Sequence, residues 1–269
     1  MKTITITKRN GTRVPLNIDK IHKMVEEACL DINGVSVSQV EMNADLQWYN
    51  GISTQEIQST LIRSATDLIN LDTPNYQYVA ARLLLFSIRK QALKQFNYIP
   101  LTELVQRNTD LGVYDKAIYD WYDNKELELL DSFIDHRRDF NFTHAAMQQV
   151  VDKYLVQDRS SGKVFETPQY MYILIAATLF AQYPKQTRLH YVKRYYDAIS
   201  QFKINIPTPV MAGVRTPIRQ FASCVLVDVD DTLPSIFHSD SAIGFYVARR
   251  AGIGINAGRI RGINSKIRG

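Results

Sequence analysis

The chain has 269 residues, 45% of them hydrophobic and 22% charged, and its 32 Lys and Arg against 27 Asp and Glu leave a net charge of +5. This is the composition of an ordinary soluble globular chain with length enough for a sizeable core, and the mild positive balance suits a phosphate-bearing partner without demanding one. Two cysteines exclude a disulfide framework and point to a reducing, cytoplasmic setting; no apolar segment follows the basic start as in a signal peptide, and the longest apolar window, YMYILIAATLFAQY, is too short to span a bilayer.

The first elements are short. TITITKRNGTRVPL alternates Thr and Ile, then meets Asn10-Gly11, a two-residue hairpin signal. Asn17 is placed to cap a helix whose apolar positions, Ile18, Ile21, Met24, Val25, Ala28 and Cys29, recur at helical spacing. A second helix starts at Ser53, which with Glu56 fits a capping box. A third runs from Asn75 to Phe96 behind Pro74. Residues 1–97 thus read as a hairpin leading into a helical bundle, with a boundary at Pro100.

Further helices follow in LTELVQRNTDLGVY and NKELELLDSFI, and DSFIDHRRDF reads as a helix end or surface loop. YLVQDRSSGKVFE reads as a hairpin turning at Ser160-Ser161-Gly162. TPQYMYILIAATLFAQY and KQTRLHYVKRYYDAISQF are two more helices. The second mixes basic and aromatic residues, as nucleic-acid faces do, but Leu189, Val192 and Tyr196 make it an amphipathic core helix.

From Ile204 the texture becomes rich in Pro, Gly and Thr. Cys224 opens an apolar run, Val225-Leu226-Val227, that reads as a buried strand; TLPSIFHSDSAIGFYVARRAG then reads as a helix and IGINAGRIRGINSKIRG as a Gly-rich return. Strand, helix and strand at this spacing suggest the opening of a parallel α/β core. One or two parallel strands cannot close a barrel or form a covered sheet, so a partner completes this unit or the rest has been removed. On residue chemistry alone Cys224 and Cys29 both read as small core hydrophobes, and Thr208 between two prolines as a rigid turn. The five histidines show no metal-ligand spacing, and no metal site is expected.

Three segments, LVQDRSSGKVFETPQYMYILIA, IPTPVMAGVRTPIRQFASCVL and RAGIGINAGRIRG, resemble the large (alpha) subunit of class I ribonucleotide reductase, with long bacterial and phage members most similar. The resemblance spans essentially the whole chain and implies a mixed α/β fold: an ATP-cone domain over residues 1–97, a helical region over 98–203, and over 204–269 the first strands of a ten-stranded α/β barrel left incomplete. It implies thiyl-radical replacement of the ribose 2′-hydroxyl by hydrogen, inactive in this chain alone. The partners implied are a complementing C-terminal segment, a second large subunit, and a small subunit holding the radical-generating metal site, with thioredoxin or glutaredoxin as reductant. Neither membrane nor nucleic acid is implied as a partner. A divided gene is expected over an engineered fragment.

By the same resemblance Cys224 is one of two reducing thiols, its partner lying in the C-terminal segment, and Thr208, Ser223 and Gly252 contact substrate. Asp231, Thr232, Leu233, Arg261 and Arg268 belong to a specificity site for an effector nucleoside triphosphate at the dimer interface. Lys8, Arg9, Asn17, Lys20, Thr54 and Lys90 hold ATP or dATP, with Mg2+, in the cone. Val14 stands where many members have an acid, and Gln58 and Ser87 where many have histidines, which puts the on/off response in question. The rival reading is a stand-alone nucleotide-binding regulatory module without catalysis.

Overall fold

The computed structural model describes residues 4–44, 49–249 and 251–266. Strands β1 (Thr5–Thr7) and β2 (Arg13–Pro15) pair antiparallel. The turn between them is not the two-residue type the sequence suggests. Lys8 N–H donates to Thr12 O at 2.8 Å, leaving a three-residue loop, Arg9-Asn10-Gly11, with Gly11 at φ +82°. Glycine takes that left-handed conformation without a Cβ penalty.

Helix α1 (Ile18–Cys29) is capped by Asn17, whose Oδ1 accepts from Lys20 N–H at 3.0 Å. Helix α2 (Val37–Asn43) and strand β3 (Ile52–Ser53), which joins β1 in parallel, had no strong sequence signal. Ser53 caps α3 (Thr54–Asp67) as expected, but the capping box is half formed: Glu56 turns away to accept from Tyr49 Oη at 2.6 Å.

Helix α4 (Tyr76–Leu93) runs through the middle of the molecule, twelve of its residues buried. Tyr76, Val79, Ala80, Leu83 and Phe86 join the N-terminal core with Val25, Ile57 and Leu61. Ala81, Leu85, Ile88, Ala92 and Leu93 join a second core built by the helices that follow. One helix with two apolar stripes therefore belongs to both halves.

Those helices are α5 (Leu101–Asp110), α6 (Ile118–Trp121) and α7 (Asn124–Ser132), where Asp123 and Glu126 form a complete capping box. A 3-10 helix, His136–Asn141, leads to α8 (His144–Gln149) and a π-helical turn, Val150–Tyr154. Strands β4 (Gln157–Asp158) and β5 (Lys163–Val164) form the expected hairpin. Helix α9 (Pro168–Leu179) is buried on all sides, so its apolar run is a core helix, and no helix among the described residues is long and apolar enough to cross a membrane. Against it packs α10 (Arg188–Ser200), with Val192 and Tyr196 buried.

The segment Asp131–Phe140 holds the end of α7, as read, and Ser132, Asp135 and Arg137 are exposed, but it is not all surface. Asp139 is fully buried, accepting from Gln169 Nε2 at 2.8 Å, and His136 stacks on Tyr98 with ring centroids 3.5 Å apart. Burial raises the Asp139 carboxyl to about 7 and lowers the His136 imidazole to about 4. The two act oppositely on stability. The folded chain keeps the Asp139 proton that an unfolded chain loses near pH 4, so that contribution fades as pH rises towards 7. A neutral His136 adds stability as pH rises from 4 through 6.5. Asp139→Asn removes the first slope and leaves the second. Its stability relative to the parent is expected to climb between pH 4 and 7, by up to about 1.4 kcal/mol per pH unit. Urea midpoints of both chains across that range check this, and a flat difference would contradict it.

Helix α11 (Thr208–Gly213) precedes the last unit: β6 (Cys224–Asp228), α12 (Leu233–Ala248) and β7 (Gly252–Asn256). The two strands pair in parallel, Cys224 opposite Gly252 and Asp228 opposite Asn256. The buried reading of β6 fails. Leu226 is 87% exposed and Cys224 is exposed, because the sheet has two strands and only α12 packs on it; Val225 and Val227 are half-buried.

Candidate functional site

A cavity of about 1060 Å3 opens among the β1–β2 hairpin, the first turns of α1 and α3, and the end of α4. All six residues assigned to the cone by resemblance line it: Lys8, Arg9, Asn17, Lys20, Thr54 and Lys90. Local structure explains each placement. Lys8 closes the hairpin loop and Arg9 rides on it; the Asn17 cap fixes Lys20 in the first turn of α1; Thr54 is the first residue of α3; Lys90 lies in the last turn of α4. Beyond Leu93 the chain turns through a left-handed Lys94, φ +59°, which carries Lys94 and Phe96 onto the same cavity.

The cavity is strongly cationic. Lys8, Arg9, Lys20, Lys90, Lys94 and Lys163 line it, and among the described residues no carboxylate does and none of these cations forms an ion pair. Burial lowers the Arg9 guanidinium. Lys90 is also lowered, first by burial and then by the charges of Arg9 and Arg89, with Glu27 opposing. Like charges gathered without counter-charge, at two helix N-termini, make a site for a polyanion. Ile21, Met24, Ile57 and Phe96 supply an apolar wall, and Gln58, Gln91 and Gln95 amides stand among them. Such a mixture suits a base on one side and phosphates on the other.

The three departures from the common pattern sit here as well. Val14 and Gln58 line the cavity, and the Gln58 amide is engaged, donating to Leu83 O at 3.0 Å. Ser87 holds Arg9, whose guanidinium donates to its carbonyl at 3.0 Å and its Oγ at 2.8 Å. Lys94 lies one helical turn after Lys90, a spacing that could have suggested it; nothing local in the sequence marks Lys163.

The second group lies around β6. Cys224 and Gly252 are register partners, Gly252 N–H donates to Ser223 O at 2.8 Å, and a Cβ on Gly252 would stand 3.4 Å from that oxygen and 3.9 Å from Cys224 Sγ. Ser223, Cys224 and Gly252 are thus brought together. Thr208 is exposed at the start of α11, and among the described residues no hydrogen bond joins it to them. A Cβ on Gly254 would meet Leu226 Cδ2 at 2.8 Å, but that methyl ends an exposed, flexible side chain that can turn aside.

At the opposite end of β6, Thr232 caps α12 and Leu233 is exposed at its first turn. Asp231 accepts from Arg261 Nε at 2.6 Å, which brings these two residues together. Arg259, not singled out from the sequence, reaches Asp230 at 2.9 Å and Asp228 at 3.6 Å. Arg268 lies outside the described residues. Among the described residues no group of three or more His, Cys, Asp or Glu gathers as a metal site.

Three family models match in sequence order: an ATP cone domain over residues 4–91, a ribonucleotide reductase all-alpha domain over 140–219 and a ribonucleotide reductase barrel domain over 222–269. These define the class, an ATP-cone polypeptide with reductase-type helical and barrel segments. The chain is 51% identical over 268 residues to a ribonucleoside-diphosphate reductase subunit alpha of Haemophilus influenzae, and 50% over 268 residues to ribonucleoside-diphosphate reductase 1 subunit alpha of Escherichia coli. Both alignments cover 100% of this chain and 35% of the relative. The subunit alpha of Enterobacteria phage T4 is 38% identical over 269 residues, 99% of this chain and 35% of the relative. The chain belongs to the ribonucleotide reductase large-subunit family and corresponds to the N-terminal portion of its members, spanning 35% of the length of these relatives.

Proposed function

We propose that this chain is the N-terminal part of a ribonucleoside-diphosphate reductase large subunit, working in the cytoplasm with a complementing C-terminal segment, a second large subunit and a radical-generating small subunit. Its three parts are a cone over residues 1–97, a helical region over 98–203 and the opening of the barrel over 204–269. The open β6–β7 pair carries this reading. It presents Cys224 beside Ser223 and Gly252 on a sheet that further strands would extend.

Replacing a ribose 2′-hydroxyl by hydrogen consumes two electrons and releases water. Cys224 and a thiol of the complementing segment supply those electrons by becoming a disulfide, which thioredoxin or glutaredoxin then reduces. Ser223, Thr208 and the backbone at Gly252 hold the substrate by hydrogen bonds. Asp231, Thr232, Leu233, Arg261 and Arg268 hold an effector triphosphate, and the cone cavity holds ATP or dATP. With no carboxylate among the described residues of the cavity lining, Mg2+ would travel on the phosphates themselves.

The test mixes this chain with a polypeptide carrying the remaining barrel and with the small subunit, then measures deoxyribonucleotide formation. Turnover is expected from the mixture, none from this chain alone, and at least a 1000-fold loss, on the order of removing an essential catalytic group, in Cys224→Ser with ATP binding retained. A Cys224→Ser mixture as active as the parent would refute the redox role. ATP binding without turnover in any mixture would favour a stand-alone regulatory module.

A further inference from the structure

The cavity just described is not walled by the cone alone. Lys163, on β5 of the hairpin that precedes α9, also lines it. Its position follows from the hairpin's geometry. Val164 and Phe165 are buried in the second core, and Lys163 is exposed. The turn is held by Asp158, which accepts from Ser160 N–H at 3.0 Å, Ser160 Oγ at 2.7 Å and Ser161 Oγ at 2.7 Å. Gly162 takes φ +69°, and its carbonyl accepts from Gln91 Nε2 at 3.2 Å, which ties the hairpin to the end of α4. Those hydroxyls and N–H groups hold the Asp158 carboxylate down to about 2. Asp158 is thus occupied by its own turn, and among the described residues Lys163 has no ion-pair partner; its ammonium lies 5.0 Å from the Phe165 ring centroid.

We propose that Lys163 is a phosphate-binding residue of the cone cavity, so that a bound nucleoside triphosphate is gripped from both units and fastens the β4–β5 hairpin to the cone. The inference rests on the cavity's binding a nucleotide, the reading given above. It adds that the site is completed from outside the cone. The hairpin leads directly through Glu166 into α9, the central helix of the second core. A ligand that pulls on Lys163 therefore pulls on a rigid element of that core.

The test is ATP affinity of the whole chain by calorimetry, with Lys163→Gln, Lys163→Glu and Lys163→Arg, and Lys125→Gln on the exposed face of α7 as control. Lys163→Gln is expected to weaken ATP roughly three- to tenfold, the worth of one part-exposed charge-assisted hydrogen bond. Lys163→Glu weakens it further, Lys163→Arg restores it, and AMP is affected less than ATP because it presents fewer phosphate charges. Amide exchange over residues 158–164 is expected to slow on adding ATP in the parent and not in Lys163→Gln. Unchanged ATP affinity in Lys163→Gln and Lys163→Glu, with binding weakened about tenfold in Lys20→Ala, would overturn this inference and leave the cone site standing. Failure of the parent itself to bind ATP would overturn the nucleotide reading and this inference with it.

Discussion

Glu166→Ala and Arg215→Met are each expected to destabilise the chain by about 3–5 kcal/mol, the cost of leaving one buried charge without its partner. Glu166 is 0% exposed and Arg215 4%. Arg215 Nε lies 3.1 and 3.0 Å from the two Glu166 oxygens, Nη2 also meets Oε1, and the remaining donors reach Met211 O at 2.6 Å and Tyr154 O at 2.9 Å. Glu166 accepts in addition from Val156 N–H at 2.8 Å and from Tyr114 Oη at 2.6 Å, and the Tyr114 hydroxyl is pushed well above its usual range, first by burial and then by the Glu166 charge. The pair fastens the segment after α11 to the chain between the β4–β5 hairpin and α9. Removing both charges, as in Glu166→Ala with Arg215→Met, should cost much less than the sum of the single changes, since no orphaned charge remains. Denaturant midpoints of the four chains measure the coupling. Additive losses would show that the two side chains do not act as a pair.

Lys20→Ala with Lys90→Ala is expected to weaken ATP binding by about 100-fold, roughly tenfold for each charge-assisted phosphate hydrogen bond removed. The same change should raise, not lower, the thermal midpoint of the ligand-free chain. Lys90 is half-buried, and burial first, then the charges of Arg9 and Arg89, hold its ammonium below the ordinary lysine range. Deleting it relieves repulsion that the free cavity tolerates for the sake of its ligand. Opposite signs for binding and stability separate a ligand site from a set of solvated surface lysines, for which both effects would be near zero. Calorimetric titration with ATP and thermal scans without it check the two halves. Unchanged affinity would remove Lys20 and Lys90 from the site.

The order of segments, the β4–β5 and β1–β2 hairpins, the caps at Asn17, Ser53 and Thr232, and the parallel pairing of β6 with β7 were determined by the sequence itself. The turns and caps rest on bonds between residues two to four apart and the helices on apolar periodicity, both written in short stretches, while the pairing of Cys224 with Gly252, 28 residues on, follows from strand, helix and strand in succession. The six cone positions were legible too, through resemblance, and the fold brings them to one cavity. Tertiary structure alone decided the rest. It turned Glu56 to Tyr49 in place of its cap, buried Asp139 and stacked His136 on Tyr98 where charge suggested a surface, and left Leu226 in the open because two strands with one helix cover a single face. It also joined Glu166 to Arg215 across 49 residues and brought Lys163 to a cavity whose other cations lie between Lys8 and Lys94. Such pairings depend on how whole helices pack, and a change elsewhere in the core would redirect them without altering any local pattern.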